Sequence, residues 1–80
     1  MDDLKSTPKV VGMKQVLRGL KEGSLKSVYV ANDADTFLYQ RVVRAAEAAN
    51  IPVTRVASKQ ELGRASGVEV AAATVGLIKE

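Results

Sequence analysis

Lys14, Arg18 and Lys21 stand four and then three positions apart, so a helix carries all three on one stripe, with Gln15 beside them. Three cations and an amide that both donates and accepts can hold phosphates and read a base edge. Gly12 and Met13 come just before them. A helix that starts at this glycine adds free backbone N–H groups and the positive end of its dipole, both suited to an anion. An ordinary solvated helix face has the same spacing, so the stripe alone leaves two readings open. Farther along, G-V-E-V-A-A-A at residues 67–73 sets Val68 and Val70 around Glu69 in a loop that ends in Ala71 and its neighbours. The valines either line a notch for an unstacked base, with Glu69 on the rim, or tuck under a sheet. Taken together, a cationic helix start and a small apolar loop suit a folded polyanion with one unpaired base, which points to structured RNA.

Other chemistries have less to stand on. The chain has no Cys and no His, which removes disulfides, thiolate nucleophiles and the commonest general base and metal ligand. Asp33 and Asp35 form a D-x-D pair of the kind magnesium accepts, but an Asp directly before a helix is first of all a cap. No glycine-rich phosphate loop accompanies the pair. Lys59 and Arg64 flank a short helix and could reach phosphates or stay solvated. The expectation is a protein that is not an enzyme and needs no cofactor and no metal. The net charge of +3 leans towards nucleic acid, and Lys5, Lys9, Lys14, Arg18, Lys21 and Lys26 crowd the first third of the chain. No apolar run approaches the ~18 residues of a membrane span, and the acidic start M-D-D-L-K has no apolar signal region. A cytoplasmic protein with no membrane partner is expected.

Eighty residues make one domain, 1–80, and with Tyr29, Phe37 and Tyr39 as the only aromatics its core must be aliphatic. Residues 1–8 read as polar chain or one short helical turn, and 9–11 as a brief strand entering Gly12. Met13, Val16, Leu17 and Leu20 form the inner stripe of a helix that Gly23 ends. Residues 27–31 read as a central strand, and Asp33 or Asp35 caps a long helix over 36–49 with Leu38, Val42, Ala45, Ala46 and Ala49 inside. Asn50 closes that helix in a left-handed conformation and Pro52 stops it. A strand over 53–56 follows. Ser58 and Glu61 make a capping box for a helix over 59–65, with Gly67 behind it, and 74–78 is a final buried strand. Helices alternating with strands predict a layered α/β sandwich, mostly parallel, with the N-terminal stub as its antiparallel member.

Four stretches in order carry a resemblance over about residues 10–78: G-M-K-Q-V-L-R at 12–18, A-N-D-A-D at 31–35, S-K-Q-E-L-G-R-A at 58–65 and G-V-E-V-A-A-A at 67–73. The chain resembles the kink-turn-binding ribosomal-protein family, which includes an archaeal ribosomal protein shared with box C/D-type ribonucleoproteins. It is most similar to the small bacterial ribosome-associated members. The resemblance implies a three-layer α-β-α sandwich around a mixed four-stranded sheet. It also implies a partner: ribosomal or riboswitch-like RNA bent sharply at a bulge beside tandem sheared G·A pairs, and with it the ribosome. Carried over by position, Lys14 and Gln15 meet guanine edges, Arg18 meets phosphates, and Gly12 and Met13 bring backbone amides close. Val68, Glu69, Val70 and Ala71 cover the extruded nucleotide, and Asp35, Tyr39 and Lys59 sit near its pocket.

The chain departs from the archaeal pattern at Lys14 and Gln15, where that pattern has Asn-Glu. The missing carboxylate was a charge-assisted acceptor for guanine N–H groups, although the Gln15 amide oxygen still accepts. Lys-Gln resembles the bacterial branch. Thr36 replaces a proline common among relatives, and both suit a first helical turn. A competing expectation from another class is a protein–protein adaptor within a ribonucleoprotein that lacks specific kink-turn recognition. An appendage of an RNA-modifying enzyme is disfavoured, because the chain ends at Glu80 with no catalytic domain attached.

Overall fold

The computed structural model describes residues 6–68 and 71–79. Its elements alternate: β1 (Lys9–Val11), α1 (Met13–Glu22), β2 (Leu25–Ala31), α2 (Thr36–Ala48), β3 (Val53–Val56), α3 (Lys59–Ser66) and β4 (Thr74–Ile78). The local signals explain the boundaries. Gly23 closes α1 and Gly67 closes α3 in the left-handed conformation, and their amides return to the last carbonyls of each helix. Asn50, at φ 58, turns the chain after α2 ahead of Pro52. β2 begins two residues earlier than expected, because Leu25 pairs with Ile78 ahead of an irregularity between Leu25 and Ser27.

The sheet runs β1-β4-β2-β3. β2 and β3 are parallel, whereas β4 is antiparallel to both of its neighbours, β1 and β2. This corrects the expectation of mostly parallel pairing. The strands β1, β2 and β3 do share one direction, as crossovers through helices require. The reversed strand is the last, not the first, and its place in the interior makes two of the three ladders antiparallel. The cause lies after α3. The Val68 amide bonds to Gly63 near the end of the helix and the Ala72 amide to Lys59 at its start, so β4 begins at the end where β2 and β3 finish.

Two aliphatic clusters fill the faces of the sheet. Val16, Leu20, Leu25, Val28, Val42 and Ala46 are buried under α1 and α2, and Ala31, Val56, Leu62, Ala72, Val75 and Leu77 are buried under α3. Three layers result, as the resemblance implied. Leu25 shows how closely the first cluster is fitted. A Cβ on Gly19 of α1 would lie 2.7 Å from Leu25 Cγ, and one on Gly76 of β4 would lie 2.6 Å from Leu25 Cδ1. Two glycines thus admit one leucine between helix and sheet. Among the described residues no helix is long and apolar enough to cross a membrane.

Candidate nucleic-acid interface

The helices α1, α2 and α3 begin at the same end of the sheet, where β1, β2 and β3 finish and β4 starts. Backbone hydrogen bonds knit this end together. The Gly12 amide donates to the Thr74 carbonyl (3.0 Å), Ala31 to Ala73 (2.9 Å), Asn32 to Val56 (2.7 Å) and Ala72 to Lys59 (3.0 Å). The start of α1 and the start of β4 are therefore neighbours. Thr74 holds the junction from below: it is fully buried, and its Oγ1 donates to the Tyr29 carbonyl at 2.7 Å.

The three helix starts differ in how their amides are satisfied. Asp35 accepts from Phe37 and Leu38 at 2.9 and 3.3 Å, and Ser58 Oγ accepts from Glu61 at 3.1 Å. Asp33 reaches across to the Lys59 amide at 2.8 Å. Both carboxylates of the D-x-D pair thus serve as backbone acceptors, and among the described residues no group of three acidic, His or Cys side chains could hold a metal. At α1 the arrangement is the reverse: Gly12 offers no side-chain cap, and the first turn holds no acidic residue. Gly12 has φ 101 and ψ 153, a region that side-chain-bearing residues almost never occupy, so the sequence needs glycine here and forgoes a capping side chain. Its own N–H is spent on Thr74. The amides of Met13, Lys14 and Gln15 remain at the open start of the helix.

Lys14, Gln15, Arg18 and Lys21 are exposed, while Met13 is half-buried against the α1–α2 cluster. Arg18 lies 3.8 Å from Glu22 across one helical turn, with both side chains mostly in solvent. Lys59 and Ala71 are exposed on the α3 side of the same end. Val68 is half-buried and packs against the cluster under α3, which matches the tucked reading of that valine. Glu69 and Val70 lie outside the described residues. Tyr39 turns towards the β3 edge, where the Arg55 guanidinium sits 5.6 Å from its ring centre. A hollow of about 460 Å³ on α3, lined by Ser58, Gln60, Glu61, Arg64 and Ala65, mixes both charge signs and is a poor match for a polyanion. Spacing gave no warning of the Asp33–Lys59 contact, because its partners are 26 positions apart.

A family model described as the ribosomal protein L7Ae/L30e/S12e/Gadd45 family matches residues 3–80. The chain belongs to this family. Among L7Ae/L30e/S12e/Gadd45-type relatives, an RNA-binding protein of Geobacillus sp. (strain WCH70) is 49% identical over 70 residues, which cover 88% of this chain and 85% of the relative. The RNA-binding protein YbxF of Geobacillus stearothermophilus is 46% identical with the same coverage. Among solved structures, the Giardia lamblia 15.5kD RNA binding protein superposes with a TM-score of 0.83 at 27% identity, over 90% of this chain and 61% of that one. The fold of the family and the fold described here agree in their helices and in the mixed four-stranded sheet.

Proposed function

We propose that the protein binds structured RNA, and that its specific target is the kink-turn in ribosomal or regulatory RNA. The observation that carries this reading is the uncapped start of α1. There, the exposed Lys14, Gln15 and Arg18 surround open backbone amides, and the Gly12–Thr74 bond brings the stretch before β4 alongside. Relatives bearing the name RNA-binding protein support the broader half of the proposal. The finer half rests on the chemistry of the site. An A-form major groove is too deep and narrow for side chains, and a sharp bend opens it to a helix end. Lys14 then addresses guanine acceptors or a phosphate, Gln15 both accepts and donates at a base edge, and Arg18 takes a phosphate. On this proposal Lys59, Ala71 and the exposed part of the half-buried Val68, with Glu69, Val70, Asp35 and Tyr39, receive the extruded nucleotide.

In this mechanism the protein binds the kinked state of the RNA better than the extended one and shifts the equilibrium between them. No catalytic step, cofactor or protein-bound metal is part of the proposal, and it places the protein in the cytoplasm, in association with the ribosome. The test is a gel shift at several salt concentrations with one short kink-turn RNA and a control whose sheared G·A pairs are disrupted. Preferential, salt-sensitive binding of the kink-turn is expected, because lysine and arginine contacts to phosphate release counterions. Equal binding of both RNAs rejects the kink-turn, and binding of neither leaves the adaptor reading in its place.

A further inference from the structure

The cationic surface does not stop at α1. Along the outer side of α2, Phe37, Arg41, Arg44 and Ala48 recur at four- and three-residue spacing, and all four are exposed. Among the described residues Phe37 is the large apolar side chain left in solvent, at 62% exposure, and the Arg41 guanidinium lies 5.5 Å from its ring centre. Among the described residues no carboxylate pairs with Arg41 or Arg44, since the ion pair found there joins Arg18 to Glu22. The two stripes adjoin: Lys21 of α1 and Ala48 of α2 line one groove of about 380 Å³ together with Leu17, Leu20, Ala45 and Ala49. Both helices start at the same end of the sheet, so Phe37, in the first turn of α2, stands on the side of the molecule where α1 opens.

An exposed aromatic ring beside unpaired arginines is a poor arrangement for a merely solvated helix face. Solvation would favour a polar side chain at position 37. It is a good arrangement for single-stranded nucleic acid, which offers a base to stack and phosphates to neutralise. We propose that the Phe37–Arg41–Arg44 stripe is a second RNA contact, which stacks one unpaired nucleotide and holds the phosphates of a single-stranded segment leaving the element held by α1. This inference rests on the RNA-binding reading given above and extends it to residues outside the first site. The exposed ring, not the charge, selects the occupant: carboxylates of an acidic protein segment would satisfy Arg41 and Arg44 but offer no π face to stack on Phe37.

The test is fluorescence anisotropy with three RNAs: a blunt kink-turn, the same kink-turn with a single-stranded extension of about eight nucleotides, and that extension alone. The wild-type protein is expected to bind the extended form more tightly than the blunt one. Phe37→Leu, which keeps apolar bulk but removes the π face, should erase roughly tenfold of affinity for the extended RNA and leave the blunt RNA unchanged. Phe37→Tyr should restore it. Arg41→Gln should lower the salt dependence on the extended RNA by about one phosphate contact. The inference is overturned if the extension adds nothing, or if Phe37→Leu binds every RNA as the wild type does, the result a protein partner on this face would give. Loss of blunt binding in the wild type rejects the first reading instead. The isolated extension then decides the second: Phe37-dependent binding to it upholds the stripe, and its absence overturns it.

Discussion

The starts of α1 and α3 share one end of the sheet and are built on opposite principles. At α3 the backbone donors are consumed inside the protein: Ser58 takes the Glu61 amide, Asp33 takes the Lys59 amide, and the Lys59 carbonyl in turn holds Ala72. The backbone of that end is structural, and it ties the β2–α2 turn, α3 and the approach to β4 into one body, while the exposed Lys59 side chain takes no part in these bonds. At α1 no side chain caps the first turn, no acidic residue offsets the dipole, and a cation, Lys14, occupies a position where a carboxylate would help the helix. A capping side chain is worth about 1 kcal/mol, and of α1, α2 and α3 it is α1 that forgoes it. On the proposed function, the difference separates a surface kept closed for stability from one left open for RNA.

Installing the missing carboxylate is the most direct way to break this comparison. Lys14→Glu adds an acidic residue to the first turn of α1, which should stabilise the fold by about 0.3–1 kcal/mol, read as a rise in the thermal midpoint. The same change should cost ~1–3 kcal/mol or more of kink-turn affinity, because it removes a contact and brings like charge to the RNA. A variant that is both more stable and weaker in binding marks α1 as the open end. If affinity is unchanged, the RNA does not use it. Gln15→Ala acts on the same end with a narrower effect: discrimination between a kink-turn and its G·A-disrupted control should fall by roughly 1–3 kcal/mol, with helix stability nearly constant.

At the closed end the expectations invert. Ser58→Ala should lower stability by about 1 kcal/mol in urea unfolding and leave binding through α1 intact. Asp33→Ala should cost a similar ~1 kcal/mol, because it leaves the Lys59 amide without its acceptor. It should also loosen the Ala72 attachment, which amide hydrogen exchange would show as faster exchange at Ala72 and Lys59. If Ser58→Ala, which leaves the Asp33–Lys59 and Lys59–Ala72 contacts in place, lost affinity in step with Lys14→Glu, the division between the two helix starts would not hold.

Local chemistry is where the sequence is legible. Ser58 and Glu61, Gly67, Asn50 before Pro52, and the apolar run 74–78 each state an element in their own neighbourhood, and the structure has them there. What could not be read is what joins distant segments. No spacing shows that β4 enters between β1 and β2, that Asp33 caps a helix far down the chain, or that Gly19 and Gly76 leave room for Leu25. The candidate site divides the same way. Helical period exposes Lys14, Gln15 and Arg18, whereas the closeness of Gly12 to Thr74 is a property of the sheet that no spacing along the chain states. The Phe37–Arg41 pair was in principle readable as an aromatic and a cation one turn apart, off the inner stripe of α2. A search for the core passes over such a pair, because it contributes nothing to the core.

The smallest expected effect concerns Arg18, which belongs to the open end yet already has a partner. Its Glu22 contact, at 3.8 Å with the two side chains 73% and 58% exposed, is screened by water and worth at most a few tenths to about 1 kcal/mol. Glu22 thus competes weakly with a phosphate for the guanidinium and adds negative charge where RNA would lie. Glu22→Gln should change stability by less than about 1 kcal/mol and tighten kink-turn binding slightly, within about threefold, mostly at low salt. Arg18→Ala should weaken binding to all RNAs and lower the salt slope by about one contact, and in that background Glu22→Gln should lose part of its effect. The part that survives measures simple charge repulsion, and the part that vanishes measures competition for Arg18. If Glu22→Gln weakens binding, the pair orients the arginine for the RNA rather than withholding it, and α1 carries one deliberate contact on its open face.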